Sequence, residues 1–106
     1  MNVDSQQFVD TPSGERLPVV SLRSPQSGPS VVVTANIHGD ETTGIGVVHN
    51  LVRCLPDLLL RGSVHLYPTL NPGGLMTNSR ALPGDGQDLN RMFPGKPRGP
   101  ASERHA

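Results

Sequence analysis

The chain has 106 residues, with nine Lys and Arg balanced by nine Asp and Glu. This bounds it to one small domain and excludes the basic footprint of a nucleic-acid binder. Hydrophobic residues make up 34%, with two Phe, one Tyr and no Trp, so any core has to be aliphatic. The single Cys54 excludes an internal disulfide framework and fits a reducing compartment. No basic-then-apolar leader follows Met1, and no apolar run reaches the roughly 20 residues of a membrane span. The sequence therefore reads as soluble and cytoplasmic, with no membrane and no nucleic-acid partner.

Phe8-Val9-Asp10 and Leu17 to Leu22 are short strand candidates, and Thr11-Pro12-Ser13-Gly14 between them has the chemistry of a hairpin turn. After the Pro- and Gly-containing stretch from Ser24 to Ser30, Val31 to Ile37 reads as a strand apolar on both faces. That is the pattern of a central strand covered by helices. From Thr42 to Leu55 the period changes: Ile45, Val48, Leu51, Val52 and Leu55 recur at helical spacing, and Pro56 marks the expected end. Gly44 and Gly46 near the start lower helix propensity and allow close packing on the sheet. Cys54 is expected inside the helix as a small buried hydrophobe. Val64 to Pro68 reads as the next strand, which completes a βαβ unit.

Beyond Thr69 the periodicity stops. Residues 71–100 hold six Gly and five Pro. A structureless stretch of that length in a compact domain is usually functional or disordered. Ser102 to Ala106 resembles the first turn of a helix. The fold expected is α/β, a mixed central sheet with helices on both faces, truncated after its first βαβ unit.

The chemistry centres on His38-Gly39-Asp40-Glu41, which follows the apolar strand directly. Zinc binds imidazole nitrogen and carboxylate oxygen, and a catalytic zinc takes three protein ligands plus water. His38 and Glu41 are candidates for two of the three. The alternative for this short pattern is a loop histidine beside an acid that caps the helix. Asp88-Leu89-Asn90-Arg91 is a second constellation, because an Arg fork with a neighbouring Asn suits a carboxylate. The alternative is an Asx turn with a solvated Arg. Arg80 could stabilise an oxyanion or be a surface charge. Asn71 ends the second strand, and loops at the carboxyl ends of neighbouring parallel strands converge. That topology brings Asn71, Arg80, Asn90 and Arg91 toward His38 and Glu41. His49, His65 and His105 are not expected at the site: His49 lies inside the helix, His65 inside a strand, and His105 at a terminus expected to fray.

In order along the chain, several segments together resemble the succinylglutamate desuccinylase/aspartoacylase family, which is related to the zinc carboxypeptidases. They are Gly28-Pro29-Ser30 with the following strand, His38 to Glu41, Leu60 to Val64, Asn71 to Gly74, Arg80, and Asp88 to Gly95. The resemblance implies one Zn2+ per complete site, with His38 and Glu41 as ligands. It implies that Arg80 polarises the scissile carbonyl or holds substrate, and that Asn90 and Arg91 bind the substrate carboxylate. Asn71 joins the substrate-binding set. The implied reaction is hydrolysis of a small N-acyl amino acid to a carboxylic acid and an amine, in a zinc-carboxypeptidase-like fold. Such a family also carries a third ligand, a histidine in an Asp-Leu-His strand motif, and a later catalytic glutamate. Neither is found within residues 1–106, so the expectation is the N-terminal part of one zinc deacylase catalytic domain, inactive or nearly so by itself. A non-catalytic carboxylate-binding module and an inactive fragment are the competing readings.

Overall fold

The computed structural model describes residues 3–84 and 86–106. Strands β1 (Val3–Asp10) and β2 (Arg16–Arg23) form the expected hairpin. β3 (Ser30–Thr34), helix α1 (Thr43–Leu58) and β4 (Ser63–Tyr67) form the βαβ unit, followed by α2 (Pro72–Thr77), a 3-10 turn over Leu89–Arg91 and α3 (Ala101–His105). The sheet is mixed, in the order β1-β2-β4-β3: β2 pairs antiparallel with β4, and β3 pairs parallel with it.

The helical stripe explains the core. Val48 on α1 packs with Leu22, Val64 and Leu66 of β2 and β4, and Leu51, Val52 and Leu55 close around them. Each of these four buried side chains stabilises the fold by about 1.5–3 kcal/mol through loss of apolar surface to water. Gly44 sits where a β-carbon would stand 3.1 Å from the Ala35 methyl, so the start of α1 lies tight against the end of β3. The opposite face of the sheet is covered in part by the C-terminal segment. Leu70, Leu89, Phe93 and His105 lie over Leu17, Val32, Thr34 and Tyr67 around a cavity of about 320 Å³.

Among the described residues β3 lies at one end of the strand order, beside β4, and Val31 and Val32 are 48% and 60% exposed. Three expectations are corrected. The strand ends at Thr34, since Asn36 turns into the left-handed region (φ 59°). α1 continues through Pro56 to Leu58, because a proline's fixed φ suits a helix and its lost donor costs one bond near the end. Cys54 is exposed, being off the stripe formed by Val48, Leu51, Val52 and Leu55. The region after Thr69 is also more regular than its composition suggests. Asn71 caps α2 by accepting from the Gly74 N–H at 2.9 Å, and Asp88 caps the 3-10 turn by accepting from the Asn90 N–H at 3.0 Å. No helix among the described residues is long and apolar enough to cross a membrane.

Candidate metal and substrate site

The loop from Asn36 to Glu41 leaves the carboxyl end of β3 and is held from behind by buried amides. Asn36 tolerates its left-handed backbone as few non-glycine residues do. Its Nδ2 donates to the carbonyls of His38 (3.1 Å), Gly39 (3.2 Å) and Glu41 (2.7 Å). The Asn36 Oδ1 accepts from Thr69 Oγ1 at 2.6 Å, which ties the loop to the end of β4. Gly39 packs on α2 so closely that a β-carbon there would collide with the Gly74 backbone.

Asn71 completes this support. It is fully buried, and its Nδ2 donates to the carbonyls of Ala81 (3.2 Å) and Ile37 (3.4 Å). Its backbone N–H donates to Thr69 Oγ1 at 3.0 Å. The expectation that Asn71 contacts substrate is corrected here: the whole side chain is taken up in joining the two strand ends, and it shows no surface to a ligand.

His38, 8% exposed, lies between two carboxylates. Its Nδ1 is 3.1 Å from Glu41 Oε2, and its Nε2 is 2.9 Å from Asp88 Oδ1. Arg80 reaches the other oxygen of each carboxylate, Nη1 at 3.3 Å from Glu41 Oε1 and Nη2 at 3.8 Å from Asp88 Oδ2. The four side chains close a ring. Partial burial raises the Asp88 carboxyl's pKa, but the Asn90 N–H, the His38 hydrogen bond and charge, and the Arg80 cation together hold it below the ordinary aspartate value.

A neutral imidazole carries one N–H. If it points to Asp88, as a carboxylate–histidine pair requires, the Nδ1 lone pair faces a Glu41 lone pair across 3.1 Å. That contact is favourable only with a cation between the two atoms, a proton or a metal ion. An imidazole nitrogen and a carboxylate oxygen are zinc donors, and a carboxylate on the second ring nitrogen is the usual orienting partner of a metal-bound histidine. The residues therefore fit a zinc ion. Among the described residues, no three His, Cys, Asp or Glu side chains are grouped to hold a metal.

Arg80, Glu41 and His38 thus meet as the sequence suggested. Asn90 and Arg91 lie exposed on the turn that Asp88 starts. His105, expected to fray, is instead anchored: Nδ1 lies 2.8 Å from Ser13 Oγ and Nε2 lies 2.6 Å from the Leu70 carbonyl. Both nitrogens are engaged away from His38. His65 pairs with Ser21 Oγ across β2 and β4 at 2.8 Å, and His49 is exposed on α1. Sequence reasoning passed over Asn36, Thr69 and the Asp88 contact with His38. The first two carry the faint signal of isolated polar residues at the ends of apolar strands. Asp88 looked like a turn former, and it is one, with its carboxylate serving both purposes.

A βαβ unit whose strand ends gather a histidine, two carboxylates and an arginine defines an α/β protein with a polar site at the carboxyl edge of its sheet. Residues 27–106 match the model of the succinylglutamate desuccinylase/aspartoacylase catalytic domain, and the chain belongs to that family. It is 37% identical over 79 residues to the N-alpha-acetyl-L-2,4-diaminobutyric acid deacetylase of Halomonas elongata, a match covering 74% of this chain and 23% of that protein. Its fold superposes on the crystal structure of an aspartoacylase family protein from Mesorhizobium loti with a TM-score of 0.84 and 34% identity, covering 99% of this chain and 34% of that one. It shares its fold with a metallo-carboxypeptidase from Burkholderia cenocepacia (TM-score 0.72, 22% identity, 92% of this chain and 31% of that one). The chain spans about a quarter of the curated relative it matches and a third of the solved chains.

Proposed function

We propose that this chain carries part of the site of a zinc-dependent deacylase that hydrolyses the amide bond of small N-acyl amino acids. One observation carries the reading: His38 Nδ1 and Glu41 Oε2 face each other at 3.1 Å while Asp88 holds Nε2 at 2.9 Å. That geometry suits two ligands and an orienting carboxylate. Zinc, when bound, supplies the Lewis acidity that activates water and polarises an amide carbonyl.

The chain's own residues supply the rest. Arg80, beside Glu41, offers a cation to the oxyanion that develops as the carbonyl becomes tetrahedral. Arg91 with Asn90 offers a planar fork and a neutral donor to the substrate carboxylate, which fixes the amide relative to His38. Water adds to the carbonyl carbon, the C–N bond breaks, and the amine leaves with a proton. The full activity draws on a third ligand and a general base beyond the residues named here, so the isolated chain is proposed to bind zinc and to turn over little or no substrate. Membership in a deacylase family and the H. elongata relative support the reaction class. The reading also assigns the protein to the cytoplasm, with small metabolites as partners.

Zinc titration calorimetry on the wild type, His38→Ala and Glu41→Gln tests the ligand pair. Wild-type binding that either substitution abolishes is expected. Zinc binding unchanged in both variants would falsify the assignment.

A further inference from the structure

We propose that Arg80 is the metal's competitor at this site: its guanidinium pairs with Glu41, and zinc binds by displacing it from that carboxylate. The inference rests on the assignment of His38 and Glu41 as ligands. It adds that an Arg of the same site sets the affinity of that pair.

The ring geometry is the ground for it. Glu41 turns one oxygen to His38 at 3.1 Å and the other to Arg80 at 3.3 Å. Asp88 does the same at 2.9 and 3.8 Å. Two carboxylates and one guanidinium leave the cluster with an excess negative charge, and Arg80 is the cation that partly offsets it. A divalent ion entering beside Glu41 meets a carboxylate already paired, and a positive charge against it.

Two effects oppose each other. The guanidinium keeps Glu41 turned toward His38, which favours the metal by ordering a ligand in advance. It also repels the metal and occupies its ligand. The Glu41 and Arg80 side chains are 62% and 55% exposed, so the bridge confines them weakly and the ordering effect is small. Charge then decides the sign. For solvent-exposed groups at this separation, the repulsion corresponds to about a tenfold loss in affinity at low salt. Metal entry also releases the guanidinium, the state in which it can serve a substrate carbonyl.

Zinc affinity at low and high ionic strength, compared between wild type, Arg80→Gln and Arg80→Lys, is the test. Arg80→Gln should bind zinc roughly tenfold tighter at low salt, with the gap narrowing as salt screens the charge. Arg80→Lys, which restores the charge, should return to wild-type affinity. In parallel, the Arg80 Nε–H resonance of the wild type should shift as zinc is added, and Arg80→Gln should keep the wild-type circular dichroism spectrum. Equal or weaker binding by Arg80→Gln overturns the proposal, and so does Arg80→Lys binding as tightly as Arg80→Gln. If wild type and His38→Ala bind zinc alike, or neither binds, the ligand assignment itself fails and the proposal with it.

Discussion

The loop at Asn36–Glu41 and the turn at Asp88–Arg91 meet at one histidine, yet they are built in opposite ways. The first is fixed by buried amides: Asn36 spans three carbonyls and Asn71 spans two more. The second is a short 3-10 turn, anchored by the buried Leu89 and capped by the carboxylate that touches His38, with Asn90 and Arg91 exposed. The backbone behind His38 and Glu41 is thus braced by buried side chains from two strand ends, whereas Asn90 and Arg91 stand exposed on a turn with a single buried anchor, Leu89.

The comparison breaks if the loop proves tolerant. Asn36→Ala should cost about 3 kcal/mol, because three buried or half-buried carbonyls lose their donor and alanine disfavours the left-handed backbone. Urea unfolding should show a lower midpoint with an unchanged slope. Gly39→Ala should cost a similar amount, about 2–3 kcal/mol, since the Gly74 backbone has to move. A loss below about 0.5 kcal/mol in either would mean that the loop is not over-determined.

Asp88 belongs to both regions. Asp88→Asn should weaken zinc binding by about 10–100-fold, measured by competition with a chelating dye, because the amide no longer fixes the His38 tautomer. Its acid behaviour has a definite sign. The folded carboxyl titrates below its ordinary value, so the stability it lends is complete above that ordinary value and is lost as pH falls through the folded one. The metal-free chain should therefore lose stability on acidification, and the acid limb should flatten in Asp88→Asn. The smallest stability effect is expected at the turn. Arg91→Ala should change the unfolding free energy by less than about 0.5 kcal/mol. It should nonetheless weaken binding of an N-acyl amino acid to the zinc-loaded protein by tenfold or more, as loss of a charge-assisted contact does.

Much of this was legible from pattern alone. The period of Val48, Leu51, Val52 and Leu55 identified the helix and its buried face. The change from apolar run to His38-Gly39-Asp40-Glu41 marked where His38, Glu41, Arg80 and Asp88 come together. Less legible was anything decided by partners far along the chain. Val31 to Ile37 reads as one strand because its residues are apolar, but the strand ends at Thr34, and Asn36 turns away under hydrogen bonds to Thr69 and to the carbonyls of its own loop. Asn71 reads as a ligand contact because it is polar and follows a strand. Only the carbonyls of Ile37 and Ala81, from two other segments, show that its amide is already used. Asp88 hid its role because a turn-forming acid and a histidine-orienting acid are the same residue.

The bond from Thr69 to Asn36 joins residues 33 positions apart. Its acceptor belongs to the loop before α1, and its donor lies beyond β4. The final shape of the loop therefore depends on a contact made across the closed crossover, and the expectation is that it orders late in folding. Thr69→Ala should accordingly speed unfolding far more than it slows folding, and a chevron analysis would read that asymmetry directly.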